Sequence, residues 1–415
     1  MEPCGCPELV GLSRRGLLRG ALAAGAGISA TAAFGTAFVE TSYAATRSAP
    51  RVLVVLSMRG AADGMSIVVP HGDPVYYAAR PQIAVPAAQL LAKDGFFGLH
   101  PHLAPLLPLW NAGKMAAVHA TGLPAPNRSH FSAMEEVEDA APGSTTRTGW
   151  LNRLIGRDTY ASPLQALQIG TAMPPTSLSG PQRTIAIEGI DDMRLSGVDE
   201  WDTNGRRTRS MTTTWASAPG ALGASARATM AAIQDFAPVK ATAETPANGA
   251  SYPGGDFGRA MRAVARTIRG DVGAEVITVD FGSWDHHVDL GTLEWGAMER
   301  MTTELAKVLS AFFTDLGGLG EKVTVVAFSE FGRRTKQNSS YGLDHGWGNV
   351  MLLLGAGVKG GYHGTWPGLA DDDDGDLKVT TDYRSVLSEV VTKRLGASSA
   401  TVFPGFTPEP VGALL

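Results

Sequence analysis

Residues 51–57 read RVLVVLS, a continuous apolar run rich in β-branched side chains and without polar alternation. A strand apolar on both faces must be covered on both faces, which points to a parallel sheet between helical layers. Similar runs recur at 115–119, 275–280, 322–328 and 350–355. Helical patterns separate them. Residues 256–269 place Phe257, Met261, Val264, Ala265 and Ile268 on one face. Residues 293–316 do the same with Met298, Met301, Leu305, Val308, Leu309 and Phe312. The alternation predicts an α/β fold, a three-layer sandwich with a mainly parallel central sheet. Residues 204–255 interrupt it with an Ala-, Thr-, Ser-, Gly- and Pro-rich stretch, read as an insertion or cap containing a helix over 221–236. The acidic run 371–374, followed by Gly375 and Asp376, reads as a solvated surface loop, with cation binding as the alternative.

The N-terminus has the three parts of an export signal. A polar segment ends in Arg14-Arg15, residues 20–38 are mostly Ala and Gly, and Ala44 and Ala45 supply small residues for cleavage. The leader is therefore read as residues 1–45, a twin-arginine signal, with the mature protein periplasmic or extracellular. Gly and Ala provide too little transfer energy for a good membrane anchor, so no stable span is expected after cleavage. Both cysteines, Cys4 and Cys6, precede the arginine pair, which leaves the mature chain without a disulfide, a thiolate ligand or a cysteine nucleophile. The leader carries three acidic and three basic residues, so the whole-chain net charge of −5 survives its removal. That balance argues against nucleic acid as a partner.

Ligands of α/β sheets bind beyond the carboxyl ends of the strands. The ionisable residues that follow the expected strands form a coherent set. Asp63 follows the first, and Asp285, His286 and His287 follow the run ending at Asp280. Glu330 follows Phe328, and Asp344-His345 precedes Val350. Arg128, Ser129 and His130 add a hydroxyl between a cation and an imidazole. Imidazole and carboxylate without thiolate suit Zn²⁺, Mn²⁺ or a similar divalent ion. A serine held against such an ion can be a nucleophile without a histidine base. Each piece also has a plain reading: Asp63 as a helix cap, Asp344 and His345 as a hydrogen-bonded loop pair, and Glu330 as the ion-pair partner of Arg333 or Arg334.

Across residues 52–404 the chain resembles the exported bacterial family known as domain of unknown function 1501. The resemblance rests on Arg59-Gly60-Ala61-Ala62-Asp63-Gly64, Leu99-His100-Pro101, Asn127-Arg128-Ser129-His130-Phe131, Gly149-Trp150-Leu151, Trp284-Asp285-His286-His287, Ser329-Glu330-Phe331-Gly332-Arg333, Asp344-His345 and Thr381-Asp382-Tyr383-Arg384. That family is similar in turn to the alkaline phosphatase and sulfatase superfamily. The resemblance implies an exported metal-dependent hydrolase of phosphate or sulfate esters, acting on a small-molecule or polymer substrate. It implies one or two divalent ions held by Asp63, Asp285, His287, Glu330 and His345, with His286 or His130 as substitutes, Ser129 as nucleophile and Arg128 on the anionic group. Phe331 stands where the superfamily has a metal-binding histidine. This departure keeps an alternative open, a non-catalytic member with a binding or assembly role in the envelope.

Overall fold

The computed structural model describes residues 48–145, 147–157, 162–195, 202–370 and 372–415. The export signal, with its arginine pair, lies outside the described residues, as does Asp371. Among the described residues no helix is long and apolar enough to cross a membrane.

The apolar runs become strands. β1 is Val52–Ser57, β2 Met115–Gly122, β3 Ala166–Ile169, β4 Ile185–Ile187 and β5 Val276–Asp280. β6 is Val323–Phe328, β7 Asn349–Gly355, β8 Gly361–His363 and β9 Thr381–Asp382. They form one sheet in the order β8-β2-β7-β6-β1-β5-β3-β4, with β9 also on β2. β1 sits centrally, parallel to β5 on one side and β6 on the other. β7 alone runs against its neighbours, antiparallel to both β2 and β6. The sheet is thus mixed but mainly parallel.

Successive side chains of β1 enter different cores, as the period of two requires. Val52, Val54 and Leu56 pack with Phe257, Met261 and Val264 of α6 (Asp256–Gly270) and with Leu305, Leu309 and Phe312 of α7 (Ala297–Leu316). Leu53 and Val55 face the other way, with Val137 of α2 (His130–Asp139), Trp150 and Leu154 of α3 (Trp150–Ile155), and Val386 of α8 (Tyr383–Glu389). Helices therefore cover both faces. α7 starts at Ala297, later than the expected 293, because Gly296 at φ 96° packs against Gly291 and breaks the helical path. Residues 204–255 are largely helical: α4 is Arg206–Ala216 and α5 is Gly220–Asp235, which buries Ala228 and Ala232. α1, Gly64–Ile67, is a single turn directly after Asp63.

Candidate metal centre

The antiparallel course of β7 explains how the site assembles. Loops that follow β1, β2, β5 and β6 all leave at the carboxyl edge of the parallel strands. A motif before β7 arrives at that same edge because β7 runs the other way. His345 is delivered there, bridged in antiparallel fashion to Arg333 in the loop after β6. His130 opens α2 after β2, and Asp285 follows β5.

His130, Asp285 and His345 come together, each offering one ligand atom within 4.8 Å of the others. His130 Nε2 lies 3.0 Å from His345 Nε2 and 3.4 Å from Asp285 Oδ2. His345 Nε2 lies 3.4 Å from Asp285 Oδ1. His287 Nε2 stands beside them, 2.9 Å from His345 Nε2 and 3.1 Å from Asp285 Oδ1.

The outer nitrogen of each imidazole is held by an acceptor. His130 Nδ1 donates to Glu330 Oε1 at 2.7 Å, His287 Nδ1 to Asp344 Oδ1 at 3.1 Å and His345 Nδ1 to the Arg128 carbonyl at 2.9 Å. An acceptor at Nδ1 places the proton there and leaves Nε2 with its lone pair, the arrangement that prepares histidines for a cation. Lone pairs converging this closely repel unless a positive charge lies between them. The donor set therefore fits a borderline divalent ion.

Arg333 fixes the carboxylate. Its guanidinium is 1% exposed and donates from Nη2 to Asp285 Oδ1 at 2.6 Å. It also donates to the carbonyls of Gly60, Ala61 and Leu343. Burial alone would push the Asp285 carboxyl up, but the hydrogen bond and charge of Arg333, with His287 and His130, hold it at about 2. Asp285 is anionic at any working pH. Burial pushes the His345 imidazole down, with Arg333 and His130 adding to the effect, which favours the neutral form able to bind a cation. Arg333 Nη1 also lies 3.4 Å from His287 Nε2, a donor that competes for that lone pair. His130, Asp285 and His345 thus form one group able to hold a cation, and the expected His287 stands as close to the latter two, with Arg333 beside it.

Several other expected residues take different posts. Asp63 does not reach the cluster. It is 1% exposed, and Arg80, equally buried, neutralises it through Nη1–Oδ2 at 2.5 Å and Nη2–Oδ1 at 3.0 Å. Glu330 lies one bond further out than a ligand would, accepting from His130, the Gly60 N–H and Ser329 Oγ. His286 is buried near Trp284, 6.1 Å between ring centroids, and burial followed by Arg333 pushes its imidazole down to about 4. Ser129 is exposed at the N-cap of α2, and among the described residues its hydroxyl makes no hydrogen bond. Arg128 pairs with Asp376. The acidic run is surface but tethered, with Asp373 on Lys336 and Asp374 on Arg334. Phe331, 1% exposed, packs its ring 4.9 Å from His130 and 5.0 Å from His345, an apolar wall for the two imidazoles.

The local backbone is shaped for these contacts. Gly60 has φ 112°, and a Cβ there would meet the Asp285 nitrogen at 2.6 Å, so only glycine lets the two loops touch. Ser283, two residues before Asp285, is left-handed at φ 71°, a strain that the surrounding contacts must sustain. Beside the cluster lies an open cleft of about 660 Å³, with His130, Asp285 and Glu330 on one wall. Arg59 ties its floor together, bonding Glu138 at 2.7 Å and Asp280 at 2.9 Å. The sequence reading missed Arg80 and the role of Arg333. Arg333 had a signal, since it closes the Ser329 to Arg333 motif, whereas nothing around Arg80 marks it.

A model of the family described as "Protein of unknown function (DUF1501)" matches residues 100–390. A search of curated proteins finds no match. Among solved structures, the lipoteichoic acid synthase LtaP from Listeria monocytogenes is similar at 7% identity, covering 80% of this chain and 72% of that one, with a TM-score of 0.33. The C-terminal periplasmic domain of EcEptC from Escherichia coli, solved in complex with Zn, is similar at 11% identity, covering 77% of each chain, with a TM-score of 0.32. Likenesses this slight carry no inference about the present chain.

Proposed function

The chain belongs to the DUF1501 family, and on that premise we propose that it is an exported metal-dependent hydrolase of phosphate or sulfate esters, of the alkaline phosphatase and sulfatase kind. The observation that carries the proposal is the convergence of His130, Asp285 and His345, one ligand atom from each within 4.8 Å of the others, with both imidazoles held from behind by an acceptor. His130, Asp285 and His345 would hold the ion, Zn²⁺ or Mn²⁺ by donor type, with His287 beside them. So held, the ion supplies Lewis acidity toward an ester oxygen and lowers the pKa of a nearby hydroxyl. Glu330 keeps the His130 proton on Nδ1, and Arg333 keeps Asp285 charged and aimed. Ser129 is the candidate nucleophile, because its hydroxyl is free and it sits between His130 and Arg128. Arg128 would meet the anionic group on exchanging it for Asp376. Three ligands leave a coordination position open, as catalytic sites do.

One measurement favours a second reading. Ligands about 2.0–2.1 Å from a tetrahedral ion lie roughly 3.3–3.4 Å apart, and the imidazole nitrogens are closer. A proton shared between imidazoles holds them at 2.9 to 3.0 Å, which suits a member without metal that binds or assembles in the envelope. Elemental analysis of protein from its exported fraction separates the two. The proposal expects a stoichiometric divalent ion, its loss in His345→Ala, and hydrolysis of 4-nitrophenyl phosphate or sulfate that Ser129→Ala abolishes with metal retained. Substoichiometric metal, together with no rise in melting temperature on adding Zn²⁺ or Mn²⁺, would sink it.

A further inference from the structure

The cleft beside the cluster presents an unexpected surface. Phe131 is 88% exposed and Met173 76%, and both line this cleft with Met134, Pro174 and Pro175. Phe131 is not turned out by chance. On α2 the positions 131, 134, 135 and 138 follow helical spacing and all line the cleft, so one face of the helix is presented to it. Three more exposed apolar side chains lie outside the cleft, on the loops that carry His287 and His345. Val288, 58% exposed, follows His287, and the exposed Tyr341 and Trp295 pack edge-on at 6.2 Å. Of the eight large apolar side chains exposed among the described residues, five thus lie in the cleft or on the segments that carry the imidazoles. An exposed apolar patch gathered at a site marks a binding surface.

Charge narrows the occupant. Glu135, Glu138 and Asp280 also line the cleft, but Arg147 holds the first and Arg59 the other two. The acids are spent on the protein's own cations and do not select a cationic ligand. What remains available is apolar wall on one side and the metal-capable cluster on the other, within a volume ordinary for a small-molecule site.

We propose that the substrate is amphiphilic, its ester group at the His130–Asp285–His345 cluster and an alkyl or aryl group packed between Phe131 and Met173. This rests on the metallohydrolase reading and adds the substrate class to it. The test is calorimetric binding of inorganic phosphate and of methyl, butyl, hexyl and octyl phosphate to the Zn²⁺-loaded protein. Affinity should rise roughly two- to fourfold per methylene, the upper figure corresponding to full burial. In the Phe131→Ser/Met173→Ser double variant the dependence on chain length should vanish while inorganic phosphate binds as before. Both side chains are exposed, so the variant should melt with the wild type. Length-independent affinity in the wild type, or a length dependence that survives the double substitution, overturns the proposal. Failure of inorganic phosphate to bind the loaded protein overturns instead the metallohydrolase reading beneath it.

Discussion

Replacing Arg80 by Met tests whether Asp63 is a structural acid or a ligand. Both groups are essentially inaccessible, at 0% and 1% exposure, and meet through two hydrogen bonds of 2.5 and 3.0 Å. Burial works against the guanidinium charge, yet Asp63 more than offsets it, and the Arg80 pKa stands above its ordinary value. Arg80 also donates to the carbonyls of Thr335 and Arg334, so it ties the loop after β1 to the loop after β6. Removing one partner strands a carboxylate without counter-charge, which costs about 3–5 kcal/mol. Unfolding entropy of about 2.1 cal/mol/K per residue gives roughly 0.8 kcal/mol/K for a folded chain of this size, so the melting temperature should fall by about 4–6 °C. The double variant Asp63→Leu/Arg80→Met should lose much less than the sum of the single losses, because it removes both charges. Calorimetry gives the stability and elemental analysis the metal content, which should stay at the wild-type level in Asp63→Asn. A loss under about 1 kcal/mol in Arg80→Met, or departure of the metal from Asp63→Asn, would refute the reasoning.

Two further outcomes are expected. His119 on β2 is 3% exposed and stacks on Phe97 at 3.7 Å; burial chiefly, with His363 adding and Asp94 opposing, pushes its pKa down to about 3. The unfolded chain, with a histidine pKa near 6.5, takes the proton first, so this stabilisation is complete above about pH 6.5 and fades as pH falls toward 3. At pH 5 the loss is about 2 kcal/mol, and His119→Phe should shrink the stability difference between neutral pH and pH 5 by that amount; denaturant titrations that leave the difference unchanged would count against it. For the leader, Arg14→Lys with Arg15→Lys should block export, and N-terminal sequencing of the exported wild type should begin near Ala45. A mature chain starting at Met1 would contradict this.

Local pattern was enough for the five longest strands of the sheet and for part of its carboxyl edge. Five apolar runs became β1, β2, β5, β6 and β7, and the helix expected over 256–269 became α6, because apolar periodicity acts over a few residues and burial enforces it. The edge that collects Asp285 and Glu330 was likewise legible, since residues that follow parallel strands emerge there. That His345 precedes its strand was legible only as a motif. The reversed course of β7 supplies the reason it arrives.

Tertiary structure alone decided which side chains share a hydrogen bond or a counter-charge. Asp63 looked like a ligand until Arg80, from a segment with no marking pattern, closed on it with both side chains buried. In sequence His287 was the expected ligand and His130 a substitute. Both rings gain an acceptor behind Nδ1, and only the fold brings the Arg333 guanidinium beside His287. Sequence spacing determines what a residue can offer and roughly where it emerges. Partner choice depends on differences of an ångström or less among groups brought from different loops, and on the cost of leaving any buried charge unpaired.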